Sequence, residues 1–209
     1  MPVPERCVKL RPGDFAEVLN HVPDSCVLIG GQAVAWWAER YGLKLGEGET
    51  VTSKDIDFWG TTHDLLQLAE RMHTLPALPG RYEMTLLVGA IELTTGGSKT
   101  ALEMLHTVPG LDSANPEAVA VPERISTSSE KKLKILTPVS LVLSKLHALR
   151  TFSQEDRNDL LHLKVSLLAS HAFISDVILQ NVNYGLWNCN RLIAAQRQRP
   201  TQKMEKQFN

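Results

Sequence analysis

The chain has 209 residues, 43% hydrophobic and 22% charged, a composition that supports a folded core and excludes a disordered or collagen-like chain. Its formal net charge of -1 hides an asymmetry, because residues 1–130 carry 10 Lys and Arg against 18 Asp and Glu, whereas residues 131–209 carry 12 against 5. Cys7, Cys26 and Cys189 form no CxxC pair, which excludes a disulfide framework and a close-spaced structural zinc site.

Taken in chain order, Met1-Pro2-Val3-Pro4-Glu5-Arg6 lacks the apolar segment of a signal peptide. No uninterrupted apolar run approaches the roughly 18 residues that span a bilayer, so a soluble, cytoplasmic protein without a membrane partner is expected. β-rich runs at residues 26–29, 56–59, 82–88 and 101–105 alternate with helical stretches at 32–41 and 64–73. The second of these helices has Leu65, Leu68, Ala69 and Met72 at helical spacing. This reads as a mixed sheet with helices, an α+β fold, over residues 1–130, and residues 126–134 are the best linker candidate.

Residues 131–209 read as a helical region closing a cleft. Thr137 is a plausible N-cap with Pro138 at the first helical position, and Val139, Val142, Leu143, Leu146 and Leu149 form one stripe. Ser140, Ser144 and His147 make the polar face, with Lys145 at the edge of the stripe. Ser153 and Asp156 have capping-box spacing before a second helix with Leu160, Leu163 and Leu167 on one face. Residues 173–195 add one or two more helices, and the polar residues 201–209 form a frayed tail.

The stretch from Leu28 to Trp59 carries the chemistry. An apolar strand ends in Gly30-Gly31, a helix follows, and after a loop with Gly42, Gly46 and Gly48 comes Ser53-Lys54-Asp55-Ile56-Asp57-Phe58. Strand alternation points Asp55 and Asp57 to one face and Ile56 and Phe58 to the core. Two like charges on one patch repel unless a cation lies between them, and an oxygen-only pair suits Mg²⁺ or Mn²⁺. A Gly-Gly turn entering a helix offers backbone N–H groups to a triphosphate.

This order of features resembles the nucleotidyltransferase superfamily, in which a Gly-Gly or Gly-Ser turn precedes Asp-x-Asp and a third carboxylate follows on a later strand. The closer resemblance is to minimal bacterial nucleotidyltransferases of the abortive-infection toxin type. It extends to Leu136-Thr137-Pro138, Leu143-Ser144-Lys145-Leu146-His147-Ala148-Leu149 and Asp156-Arg157-Asn158-Asp159-Leu160, and covers roughly residues 26–168. It implies NMP transfer from an NTP to an acceptor hydroxyl, with Asp55, Asp57 and a third acid holding Mg²⁺ or Mn²⁺. Gly30, Gly31, Ser53, Lys145 and Asp159 are the implied nucleotide contacts. Glu92 and Glu103 both qualify as the third acid; Glu103 is favoured because Leu105 and then Pro109-Gly110 follow it as in the family. Lys145 alternatively snorkels over apolar surface, and Asp159 forms a buried pair with Lys145 or an Arg.

The implied partners are RNA or tRNA as acceptor and a cognate antitoxin protein. Two alternatives stand beside this: a small-molecule enzyme acting on an aminoglycoside-like hydroxyl, and a catalytically silent binding module. Gly96-Gly97-Ser98-Lys99-Thr100 does not fit a P-loop, since Ser98 separates Gly97 from Lys99. No GxSxG elbow is present, and the seven His residues are scattered along the sequence and read as structural. Adjacent Trp36 and Trp37 cannot both face the core, so one packs and the other lines a cleft or partner surface.

Overall fold

The computed structural model describes residues 16–46, 51, 53–95, 98–111, 115–124, 131–153 and 157–197. Cys7, Gly48, Gly96, Gly97, residues 126–130, Asp156 and residues 201–209, all named above, lie outside them. Six strands form one mixed sheet: β1 (Val27–Leu28), β2 (Ile56–Trp59), β3 (Leu87–Thr95), β4 (Ser98–Leu105), β5 (Ala120–Arg124) and β6 (Lys132–Leu136), in the order β3-β4-β2-β1-β6-β5. The helices are α1 (Ala16–Leu19), α2 (Gly30–Arg40), α3 (Thr62–Arg71), α4 (Pro116–Val119), α5 (Pro138–Thr151), α6 (Asp159–Gln180) and α7 (Val182–Arg197). The architecture is α+β, as composition and periodicity predict.

Alternation along β2 buries Ile56 and Phe58 completely and leaves Asp57 half-buried on the other face. Each such apolar side chain contributes roughly 1.5–3 kcal/mol on burial. The core continues through Leu102 and Met104 of β4 and Leu133 and Ile135 of β6. Trp37 is buried and donates from Nε1 to the Leu136 carbonyl at 2.8 Å, which pins α2 to the end of β6. Trp36 meets it edge-on and packs against the same core.

Several expectations need correction. The run at residues 82–88 is mostly not strand: β3 begins at Leu87, and Tyr82 and Met84 are exposed. The linker expected at residues 126–134 includes the first residues of β6, which pairs in parallel with β1 (Val27↔Lys134, Leu28↔Ile135). The region after residue 130 therefore supplies a central strand, and the all-helical part starts at Pro138. There Thr137 accepts from the Ser140 amide as an N-cap, but Ser140 is buried rather than on a polar face.

The largest correction concerns α6. It starts at Asp159, and Leu160 and Leu167 are exposed. Its inward face carries Asp159, His162, Leu163, Ser166, Ala169, Ser170 and Phe173, because small and polar residues permit close approach to α2, α5 and α7, against which it packs. By length and composition α6 is also apolar enough to cross a membrane. A search for an uninterrupted apolar run overlooks this, since Asp176 and Lys164 punctuate the helix.

Candidate active site

β1 runs directly into α2, and β2 runs antiparallel to β1, so the Ile29 amide donates to the Asp57 carbonyl at 3.0 Å. Asp57 thus starts at the mouth of α2. β4 lies on the other side of β2 in parallel register, with Asp57 opposite Glu103. β6 ends at the same edge as β1 and leads through Thr137 into α5, which brings Lys145 over that edge. A cleft of about 420 Å³ opens there, and Gly30, Gly31, Ser53, Asp55, Asp57, Glu103, Lys145 and Asp159 all line it.

The two glycines are required by close approach. Gly30 has φ +66°, and a Cβ there would sit 2.0 Å from Oδ2 of Asp57. A Cβ on Gly31 would lie 2.7 Å from the Ser53 hydroxyl and 2.9 Å from Cε1 of His162. The N-cap of α2 is Ile29, which provides no side-chain cap, so the first-turn amides of the helix face the cleft without that partner.

On the opposite wall one carboxylate holds two cations. Asp159 accepts from Lys145 Nζ at 2.8 Å and from Arg157 Nε at 2.5 Å. Its side chain is 3% exposed and that of Lys145 12%. Burial alone would raise the Asp159 pKa, but the Lys145 charge and the hydrogen bonds from Arg157 and Lys145 outweigh it and hold the carboxyl below its usual range.

The other carboxyls shift the opposite way. Burial pushes Asp57 up to about 7, and Glu103 and Asp55 add to the rise against the opposing charges of Lys145 and Arg157. Asp55 is raised by burial, partly offset by Lys54, and Glu103 by burial and then by Asp55. A cluster of raised carboxyls in a cleft marks a functional-site candidate.

Among the described residues no three His, Cys, Asp or Glu side chains are arranged to hold a metal ion. Asp57 turns onto Gly30, and Asp55 precedes β2, so strict strand alternation does not govern it. The donor chemistry, three carboxylates sharing one cleft, nonetheless fits a hard divalent cation.

Glu92 lies elsewhere. It is exposed on β3 opposite Ala101, 2.9 Å from Lys99 Nζ, and does not line the cleft. The basic residues past 130 are partly engaged: Arg191 stacks on Trp187 at 4.5 Å and donates to Ser140 Oγ at 3.0 Å, while Arg199, Lys203 and Lys206 lie outside the described residues. Sequence reasoning missed Lys54, Arg157 and His162, all of which line the cleft. The signal for His162 was its position three residues after Asp159, on the same helical face.

No family model matches the chain, and no curated protein matches it. Among solved structures it is similar to an antigenic nucleotidyltransferase-like protein from Paracoccidioides brasiliensis, with 12% identity, 84% of this chain and 92% of that chain covered, and a TM-score of 0.49. A likeness that distant carries no argument, and the reading of the site rests on its geometry.

Proposed function

We propose that the cleft binds a nucleoside triphosphate and transfers its nucleotidyl group to an acceptor hydroxyl. The observation that carries this reading is the parallel register of Asp57 with Glu103 beside the uncapped first turn of α2. It sets carboxylates next to backbone donors, the pairing that phosphoryl transfer requires. In the reaction the acceptor oxygen forms a bond to the α-phosphorus, the bond from that phosphorus to the bridging oxygen breaks, and pyrophosphate leaves. Glu103 accepts the acceptor's proton.

Asp55, Asp57 and Glu103 would hold Mg²⁺ or Mn²⁺, which when bound neutralises charge on the phosphates and lowers the pKa of the attacking hydroxyl. Lys145 and Arg157, positioned by Asp159, face the phosphate chain. Gly30 and Gly31 bring the α2 amides close to it, since neither glycine has a side chain to hold the ligand away.

RNA is the acceptor class we favour, because residues 131–209 carry a net +7; in that setting the protein acts as a toxin held by an antitoxin. The test is incubation of the full chain with Mg²⁺ and each α-labelled NTP, in the presence of tRNA, total RNA, a protein extract or an aminoglycoside. Label in RNA supports the full reading, and label in another acceptor supports transfer while removing RNA. Label in none of them, with no nucleotide binding by calorimetry, overturns it.

A further inference from the structure

We propose that the end of this cleft at the junction of α5 and α6 is a nucleobase subsite, in which the base stacks on Phe152 and Asn158 hydrogen-bonds its edge. The inference rests on the nucleotidyl-transfer reading above and adds to it where the base lies and which side chains select it.

Phe152 is the C-cap of α5 and, among the described residues, the one Phe, Tyr or Trp that lines the cleft. Its side chain is 37% exposed. The Arg157 guanidinium lies over the ring at 5.3 Å from the centroid, so a base that meets the exposed part of the ring adds to an existing stack. Leu86, Leu105 and Pro109 line the same cleft and give it apolar surface, which a planar base can cover and a phosphate chain cannot.

The spacing along α5 suits a nucleotide laid beside the helix. Lys145, Ala148 and Phe152 are three and seven residues apart and all line the cleft, and seven residues advance a helix by about 10.5 Å. The Lys145 end meets the phosphates, the Ala148 methyl leaves room for the sugar, and the Phe152 end receives the base. Asn158 completes the subsite from α6. It stands at the N-cap but makes no side-chain cap there, and it is exposed and lines the cleft. Its amide carries a donor and an acceptor side by side, the pattern that pairs with the edge of a base. Phosphate oxygens only accept, and Lys145 and Arg157 already supply donors for them, so the Asn158 amide is matched to the base.

The test is calorimetry on the full chain with Mg²⁺, using inorganic tripolyphosphate and each of the four NTPs. Stacking predicts that the preferred NTP binds about tenfold or more tightly than tripolyphosphate. Phe152→Leu should remove most of that advantage while leaving tripolyphosphate affinity within about twofold, and Phe152→Trp should retain it. Asn158→Ala should bring the four NTPs within about threefold of one another. Unchanged NTP affinity in Phe152→Leu, or an unchanged ranking of the four NTPs in Asn158→Ala, overturns the proposal. Equal loss of NTP and tripolyphosphate in Phe152→Leu overturns it too, because the ring then only positions Arg157. A wild type that binds tripolyphosphate as tightly as every NTP removes the subsite, whereas one that binds neither removes the transferase reading itself, which separates the two failures.

Discussion

Lys145 and Asp159 join α5 to α6 through a 2.8 Å ion pair whose members are 12% and 3% exposed. Arg157, 42% exposed, holds the second carboxylate oxygen. Removing the shared carboxylate leaves two cations side by side in a half-closed cleft, where an unpaired buried charge is costly. Asp159→Asn is expected to lower stability by about 3 kcal/mol, and Lys145→Met by less, because Arg157 still pairs with Asp159. Urea denaturation of both variants checks the order. The sign with pH follows from the lowered Asp159 pKa: its contribution is present above the unfolded value near 4 and is lost as pH falls through the folded value.

Asp57 has the opposite dependence. Its folded-state carboxyl, at about 7, binds its proton more tightly than in the unfolded chain. Its contribution to metal-free stability is therefore full below about pH 4 and is lost as pH rises through 7. In EDTA, Asp57→Asn is expected to be more stable than the wild type at pH 8, by on the order of 1 kcal/mol, with the gap closing toward pH 4. Because the proton and a cation compete for the same oxygens, Mg²⁺ should raise the wild-type thermal midpoint more at pH 8 than at pH 6. Thermal scans at the three pH values decide both points.

The two glutamates on the outer strands separate by geometry. Glu103 stands opposite Asp57 within the cleft, so Glu103→Gln is expected to lower kcat by about 100-fold or more with a smaller change in KM. Glu92→Gln removes only an exposed pair with Lys99, worth about 0–1 kcal/mol, and should leave transfer within about threefold of wild type. Reversed outcomes in the labelled-NTP assay would place the chemistry one strand further out.

Gly30 and Gly42 form a matched test of the α2 mouth, since both have positive φ, +66° and +55°, but nothing lies within 4 Å of a Cβ at Gly42. Gly42→Ala should cost only the backbone strain, about 1–2 kcal/mol. Gly30→Ala must in addition displace the Asp57 carboxylate, and is expected to abolish Mg²⁺-dependent NTP binding. Calorimetry beside thermal melts distinguishes the two variants.

How far the site could be read in advance varies by residue. Asp57 and the Gly-Gly turn were legible because strand alternation and turn chemistry are local and act over two to four residues, and Asp55, which precedes β2, was legible only as part of the same Asp-x-Asp motif. Lys145 was legible as a residue at the edge of an apolar stripe, which is again a local property of one helix. Arg157 and His162 were less so: their only local signal is their spacing from Asp159, two residues before it and three after it, and helix periodicity alone does not say what that face meets. Arg157 pairs with Asp159 two residues along the chain, whereas His162 meets Gly31 of a distant segment, a contact that only the packing of α6 on α2 creates.

The α6 face marks the same boundary. Leucine periodicity pointed Leu160, Leu163 and Leu167 inward, yet only Leu163 is buried, and Ser166, Ala169, Ser170 and His162 share the inner face with it. A helix can bury either stripe when its partners demand close packing, and the partners α2, α5 and α7 are distant in sequence. By itself the sequence determined the α+β class, the Thr137–Pro138 start of α5 and the acidic and glycine motifs, all products of short-range backbone and side-chain preferences. Only the tertiary structure decided which face of α6 is inside, that β6 closes the sheet beside β1, and that Glu103 rather than Glu92 stands next to Asp57, since each depends on long-range strand register and helix packing.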